Sequence, residues 1–384
     1  MRKIWQVALL ELELLQKQKI FLILAVLVPL LYSALFCAVY WKKQIKDLSF
    51  MVIDKDHSAL SRQIIQAFNA SPGFKLEGYG EDPRDFVAWA RKNRAHLALV
   101  FPQHLERDLK AHRGGKVLFL VDASSILVGN VAINQASEIL NYFSAGVEFK
   151  SLGISSAYAK PLLEPIHAEY RVWYNPAFNY NYANYLLFGM VAIGVQLPAL
   201  LLLALSGDYR EEEEELKKLL AIEPGWLQLA LGKTLMYLAL MFPLGLLALT
   251  TPFLVLQVPF RGSVPLFAGW FFWFLLILDL AGLGLSLLLR DGLMTTEAFA
   301  IIAMPAFLLS GYTWPILAIP GAFRFLSYAL PLTPLLFGLQ KISLEGAGPG
   351  DLAWAAGIMA VWSVLAVFSV YLGGDKFLQA GNRK

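Results

Sequence analysis

The sequence predicts an α-helical integral membrane protein: six transmembrane helices plus a re-entrant hairpin, with an inserted extracytoplasmic α/β domain. Three observations carry this. Of the 384 residues, 57% are hydrophobic and 16% charged, a balance too apolar for a soluble protein of ordinary size. Several stretches run without charge for the roughly 20 residues that a helix needs to cross a bilayer. One interval of about 140 residues, 41–181, returns to the composition of a soluble protein and is long enough for a core of its own.

The spans follow in order. Ile20–Tyr40, Tyr182–Ser206, Thr234–Phe260 and Leu352–Gly374 carry no charged residue. Leu266–Leu289 holds a single acid, Asp279, and Gly292–Phe323 holds Glu297 near its start. Phe325–Gln340 is apolar but short and interrupted by Pro331 and Pro334, so it reads as a re-entrant or interfacial hairpin rather than a further crossing.

An even number of crossings puts both termini on one side, and the Lys/Arg bias of short loops identifies that side as cytoplasmic. It collects Arg2, Lys3, Lys17, Lys19, Arg210, Lys217, Lys218, Lys233, Arg290, Lys376, Arg383 and Lys384, against Arg261, Arg324 and Lys341 in short connections opposite. The first apolar run ends in Val39-Tyr40-Trp41-Lys42-Lys43 without a small-residue cleavage site, so it is expected to stay as an anchor. Cys37 is the sole cysteine, which excludes a disulfide framework within the chain.

Between the first two spans, strands and helices alternate. Strands are expected at Leu48–Ile53, Phe74–Gly78, Ala95–Phe101, Val117–Val121 and Ala168–Trp173. Helices are expected at Ala59–Phe68, Asp85–Lys92, Leu105–Ala111 and about Val128–Ser151, which together make an α/β layer fold.

Residues able to do chemistry are few. Gly232-Lys233-Thr234 resembles the end of a phosphate-binding loop, but Leu227 stands where that pattern needs its first glycine. His57, His96, His104, His112 and His167 lack the spacing of a zinc helix and read as surface residues. Asp54, His57 and Ser58 read as a strand end followed by a helix cap, with Ser58 the cap, rather than as a nucleophilic triad.

Asp279 differs, because a carboxyl group near mid-bilayer is costly and faces either a protein interior or a wet cavity. A place on a translocation pathway and a structural hydrogen bond both fit it. Glu297 lies about one turn from the cytoplasmic end, where it can reach water or complement the positive helix start. Arg210–Leu220 mixes charge with Leu216, Leu219 and Leu220 at helical spacing, an amphipathic helix for a partner or for lipid.

Four segments together resemble the type-2 permease family of ATP-binding-cassette exporters, in the branch with a large extracytoplasmic domain. Val52-Ile53-Asp54-Lys55-Asp56-His57-Ser58-Ala59-Leu60-Ser61-Arg62 is similar to the family's Asp-x-Asp strand-to-helix signature. Trp173-Tyr174-Asn175-Pro176 with Asn179-Tyr180 is similar to the segment leading into its second span. Arg210–Leu220 followed by Leu231-Gly232-Lys233 resembles its coupling helix and the opening of its third span, although Glu214-Glu215 replaces the usual Gly-Thr pair. Leu309-Ser310-Gly311-Tyr312-Thr313-Trp314-Pro315, Ile319-Pro320 and Leu330-Pro331-Leu332-Thr333-Pro334 resemble its outer re-entrant hairpin.

The resemblance implies three regions: 1–40, a cytoplasmic amphipathic N-terminus and first span; 41–181, the extracytoplasmic domain; and 182–384, the remaining five spans, with a coupling helix at about 208–222 and the hairpin at about 312–340. It implies an ATPase-coupling role for Arg210, Glu211, Glu212, Glu215, Leu216, Leu219 and Leu220, and a hairpin shaped by Gly311, Pro315, Pro320, Pro331 and Pro334. The chain itself would hold no cofactor, since ATP and magnesium belong to cytoplasmic ATPase subunits. A second permease chain, membrane lipid and an extracytoplasmic adaptor are the other implied partners, and nucleic acid is not among them. A membrane-anchored receptor or enzyme and an ATP-independent secondary transporter are the competing readings. The first calls for a catalytic cluster in the outer domain and the second for repeated halves.

Overall fold

A computed structural model describes residues 1–41, 45–92, 94–111, 114–122, 124–152, 182–210 and 212–381. The chain divides into two compact units, Lys42–Asn181 and the remainder.

The inserted unit is built on a four-stranded sheet of order β2-β1-β3-β4, with β1 Leu48–Asp54, β2 Phe74–Tyr79, β3 Leu97–Phe101 and β4 Leu118–Val121. β1 pairs in parallel with β2 and β3, and β4 closes antiparallel on β3. Alternation along β1 sends Phe50 and Val52 into one core, with Phe68, Phe74 and Phe101, and Met51 and Ile53 into a second, with Phe86 and Val100. Being buried on both faces explains why this strand reads as a continuous apolar run.

Each strand was expected from the sequence within two residues, as were the helices α3 Ala59–Ala70, α4 Pro83–Arg91, α5 Leu105–Lys110 and α6 Ile126–Leu152. Ser58 caps α3 by accepting the Ser61 amide at 3.0 Å. The Asp54 carboxylate accepts the amides of Asp56 and His57 at 3.0 Å and the Ser61 hydroxyl at 2.8 Å, fixing the strand-to-helix turn. The strand expected at Ala168–Trp173 and the segment Trp173–Tyr180 lie outside the described residues.

The other unit is a helical bundle. It comprises α1 Arg2–Lys17, α2 Lys19–Val39, α7 Tyr182–Leu205, α8 Glu213–Ala221, α9 Trp226–Val255, α10 Val264–Leu289, α11 Gly292–Leu309, α12 Gly321–Ala329, α13 Leu332–Gln340 and α14 Ala353–Gly381. Among the described residues, six helices are long and apolar enough to cross a membrane: α2, α7, α9, α10, α11 and α14.

Four span boundaries differ from expectation by five residues or more, among them the end of α9 at Val255 rather than Phe260 and the end of α14 at Gly381 rather than Gly374. The third span does not begin at Thr234: α9 starts at Trp226, and Lys233, read as a loop charge, lies inside it and is fully buried. The fifth does not run to Phe323, because α11 ends at Leu309 and Gly311 takes a left-handed φ of +82° that a residue with a Cβ rarely adopts.

Beyond Gly311 the chain makes one tight turn at Ile316–Ala318 and then the pair α12 and α13, bent by 78°. The first has nine residues, roughly 14 Å at 1.5 Å per residue, about half the hydrocarbon thickness, and the second runs on from Gln340 through a π-helical turn, Lys341–Glu345. Pro320 and Pro331 stand at the two helix starts, where a missing N–H leaves no hydrogen bond unmade. The Trp270 indole donates to the Pro334 carbonyl at 3.1 Å, and the Trp362 indole to the Ala329 carbonyl at 2.5 Å, tying the pair to α10 and α14.

At the opposite end, buried Ser286 of α10 donates to the Ala204 carbonyl at 2.9 Å and accepts the Gly207 amide at 2.8 Å. Asp208 accepts the Gly292 amide at 2.8 Å, joining the end of α7 to the start of α11. Tyr209 meets Phe377 of α14 with ring centroids 5.7 Å apart, so the last helix finishes at this same end.

Candidate functional site

The bundle end where α1 begins and α14 finishes holds a cluster of buried polar side chains, and it begins with α1. Val7, Ala8, Leu10, Glu11, Leu14 and Leu15 form its buried stripe at three- and four-residue spacing, while Trp5 and Leu9 are exposed on the other side. An acid inside an apolar stripe requires a partner, because burying an unpaired carboxylate costs several kcal/mol or more.

That partner is Lys233 of α9. Its ammonium pairs with Glu11 and also donates to the Ser206 carbonyl at 2.8 Å and the Tyr209 hydroxyl at 3.0 Å. Tyr237, one turn further along α9, donates its hydroxyl to the other Glu11 oxygen. Tyr209 lies outside the apolar spans, and burial pushes its phenol up to about 12, so it remains a protonated donor and acceptor.

Backbone geometry brings these groups together. A Cβ on Gly232 would stand 2.6 Å from the Val7 side chain and 2.8 Å from the Ile4 carbonyl, so α1 crosses α9 in direct contact at this glycine. The Lys3 ammonium donates to the Glu223 carbonyl at 2.6 Å, fixing the other end of α1 to the turn between α8 and α9.

The segment expected to be a coupling helix is α8. Arg210 lies before it, paired to Asp208 and Asp291 at 2.7 Å each, and Glu211 lies outside the described residues. Glu215 is buried and bonded to Lys17 at the end of α1, and Glu212 is 3.8 Å from the same ammonium. The Lys17 contact holds the Glu215 carboxyl down to about 2 and raises Lys17 in turn.

The apolar edge of α8 turns inward. Leu219 is 1% exposed in the bundle core and Leu216 packs against it, while Leu220 is half-buried. What α8 offers outward is polar: Glu213, Glu214, Lys217 and Lys218 are exposed. The sequence pattern, read as a seat for a partner, is satisfied within the chain.

Of the two acids considered for a pathway, Asp279 is fully buried in α10 and Glu297 is exposed on α11. Neither Asp279 oxygen has a hydrogen-bond partner among the described residues. Gln196 Oε1 of α7 and Thr234 Oγ1 of α9 are buried in the same unpartnered condition. Sequence reasoning passed over Glu11, Tyr209 and Tyr237 and treated Lys233 as a loop residue. The signal available was an acid in the apolar stripe of one helix and a Lys-x-x-x-Tyr pair at helical spacing in another.

A family model described as ABC-2 family transporter protein matches residues 19–372. The chain belongs to this ABC-2 family. It is 24% identical over 330 residues, 84% of each chain, to the probable multidrug ABC transporter permease YbhR of Escherichia coli K12. It is also 27% identical over 187 residues, 48% of each chain, to the probable multidrug ABC transporter permease YbhS of the same organism. The six apolar helices agree with an ABC-2 permease, a multi-pass membrane protein. On the ABC-2 match, Arg210–Ala221 and the α12–α13 pair both lie inside the family region.

Proposed function

We propose that this chain is the membrane-spanning half of an ATP-driven exporter, working with a second permease chain and with cytoplasmic ATPase subunits that bind ATP and magnesium. Both termini face the cytoplasm, the α/β unit faces outward, where an adaptor can meet it, and the cargo is hydrophobic or amphipathic, a reading compatible with YbhR and YbhS being named probable multidrug permeases. The inner membrane is its place.

The observation that carries this reading is the pair of ionic contacts Lys17–Glu215 and Glu11–Lys233. A nucleotide-driven push on the exposed face of α8 passes to α1 through the first contact and to α9 through the second. A transmission element must be rigid and must join the partner surface to a span, and these contacts meet both needs. Asp279, with Gln196 and Thr234, supplies the polar groups inside the spans that a pathway would use. Coupling residues Arg210, Glu212 and Glu215 act here by holding α8 in place rather than by touching ATP.

The test is purification from native membranes followed by reconstitution. A cytoplasmic ATPase and a second permease chain should accompany the protein, and vesicles containing the assembly should accumulate an amphipathic dye only with hydrolysable ATP. Dye movement independent of ATP, by the chain alone, would replace this reading with secondary transport.

A further inference from the structure

At the bundle end opposite the termini, a cavity of about 480 Å³ opens between the end of α11, the α12–α13 hairpin and the start of α14. Its size lies within the range of small-molecule sites, roughly 300–1,000 Å³. We propose that it binds a singly charged aromatic cation of amphipathic character, as a holding site at the outer membrane face. The purpose, though not the binding, rests on the export reading.

Three features of the lining select that chemistry. First, Tyr328, Phe337 and Trp354 present a ring cluster: Trp354 meets Tyr328 at 5.7 Å and 87°, and Phe337 at 4.6 Å and 60°. Interfacial aromatics commonly serve only as lipid anchors. Here they line a cavity, and Tyr328 and Trp354 are each 39% exposed, so a solute can reach them. Ring faces are electron-rich and attract cations, most strongly Trp.

Second, the two aliphatic hydroxyls in the lining have their protons committed elsewhere. Ser310 donates to the Phe307 carbonyl at 2.6 Å and Thr333 to the Ser327 carbonyl at 2.6 Å. Toward a guest they can only accept, although Ser310 Oγ already takes the Tyr312 amide at 3.3 Å, and Gln340 adds an amide that can accept or donate. Acceptors and electron-rich ring faces suit a positive or N–H-bearing guest.

Third, among the described residues none that lines the cavity carries a formal charge. Lys341 next to it is paired with Glu345 at 2.5 Å and its ammonium stands 5.8 Å over the Phe337 ring, which leaves Tyr328 and Trp354 as the rings open to a guest. A dication would find no carboxylate to balance it, which sets the preference at one charge.

The experiment uses the full chain in nanodiscs, without ATPase subunits, in a Cys37→Ala background. The thiol introduced by Gln340→Cys is labelled with a maleimide in the presence of rhodamine 6G, a monocationic xanthene, or fluorescein, its anionic counterpart. Rhodamine 6G should slow labelling at least about tenfold, and fluorescein should not. Adding Trp354→Ala should raise the rhodamine concentration needed for half protection by on the order of tenfold, and Trp354→Phe by much less.

The control is Leu317→Cys, at a residue 83% exposed at the same end. Equal protection there would mean that the dye merely coats the membrane, and the proposal fails. It also fails if fluorescein protects equally or if Trp354→Ala changes nothing. Because labelling needs no ATP, a protected site in a chain that does not export would sink the export reading and leave the site standing.

Discussion

Glu11 and Lys233 lie 222 positions apart and form a buried ion pair in which the lysine has 0% and the glutamate 3% side-chain exposure. The pair is enclosed by Tyr209, Tyr237 and the Ser206 carbonyl, so its remaining hydrogen-bonding capacity is used. Buried pairs contribute little net stability, yet breaking one is expensive, which makes this contact a fixed joint.

Lys233→Ala should therefore destabilise the bundle by about 3–5 kcal/mol by leaving Glu11 buried and unpaired. The double change Glu11→Leu with Lys233→Met should recover most of that loss while leaving ATP-driven transport impaired. Thermal inactivation in nanodiscs and dye uptake by vesicles read the two effects separately. Full transport by the stable double variant would show that the joint transmits nothing.

On α8, charge reversal of the exposed residues Glu213→Lys and Lys217→Glu, which spares Lys218 beside Glu215, should weaken retention of the ATPase without disturbing the fold. Leu219→Asp should instead unfold the region, because it puts a carboxylate into the core at a site 1% exposed. Co-purification of the ATPase and the yield of monodisperse protein separate these outcomes.

The Lys17–Glu215 contact has a defined acid limit. Glu215 has its pKa lowered to about 2 in the fold, first by its bond to Lys17, so its stabilising effect is complete above the ordinary carboxylate range near 4.3. That effect is lost as pH falls from there through about 2. Spin labels on exposed positions Leu9 and Lys217 should report a constant distance from neutral pH down to about 4.5 and a broadened one below it. In Glu215→Gln the broadening should be present already at neutral pH.

Asp279→Leu should leave stability unchanged or raised, since it removes a buried group with no partner, while lowering transport at least about tenfold. Asp279→Asn, which keeps the polar atoms, should retain more transport than the leucine variant. Equal transport by parent and Asp279→Leu would remove this residue from the pathway.

Thiols introduced by Lys3→Cys and His104→Cys should label from opposite sides of intact cells, with only the second open to an impermeant reagent. Labelling of the first from outside would invert the topology.

The spans and the strand–helix alternation were legible because long apolar runs and two-residue alternation record the solvent of each face directly. Thr234 was misjudged as the start of the third span because Lys233 looked like a boundary charge. Only its pairing with Glu11, which no local pattern encodes, lets it sit inside. The leucines of α8 gave an amphipathic helix correctly, but amphipathicity does not say whether the apolar edge meets a partner or the chain's own core. Asp279 was visible at once as a lone acid in a span, whereas its lack of any hydrogen bond needed the three-dimensional surroundings. Proline and glycine positions announced the end of α11 and the bend between α12 and α13 because they act on the backbone locally.

The crossing of α1 over Gly232 also sets a timetable for biogenesis. Glu11 emerges from the ribosome early, but its lysine follows only after the whole inserted unit and α7 have been made. At roughly 5–20 residues per second, that interval is on the order of ten seconds or more. Through it the first helix has no α9 to dock on, and its apolar stripe must rest on the lipid surface or on a chaperone. Completion of the joint thus reports that the third span has been inserted, and a chain stalled before Trp226 would present an undocked first helix to the quality-control proteases of the membrane.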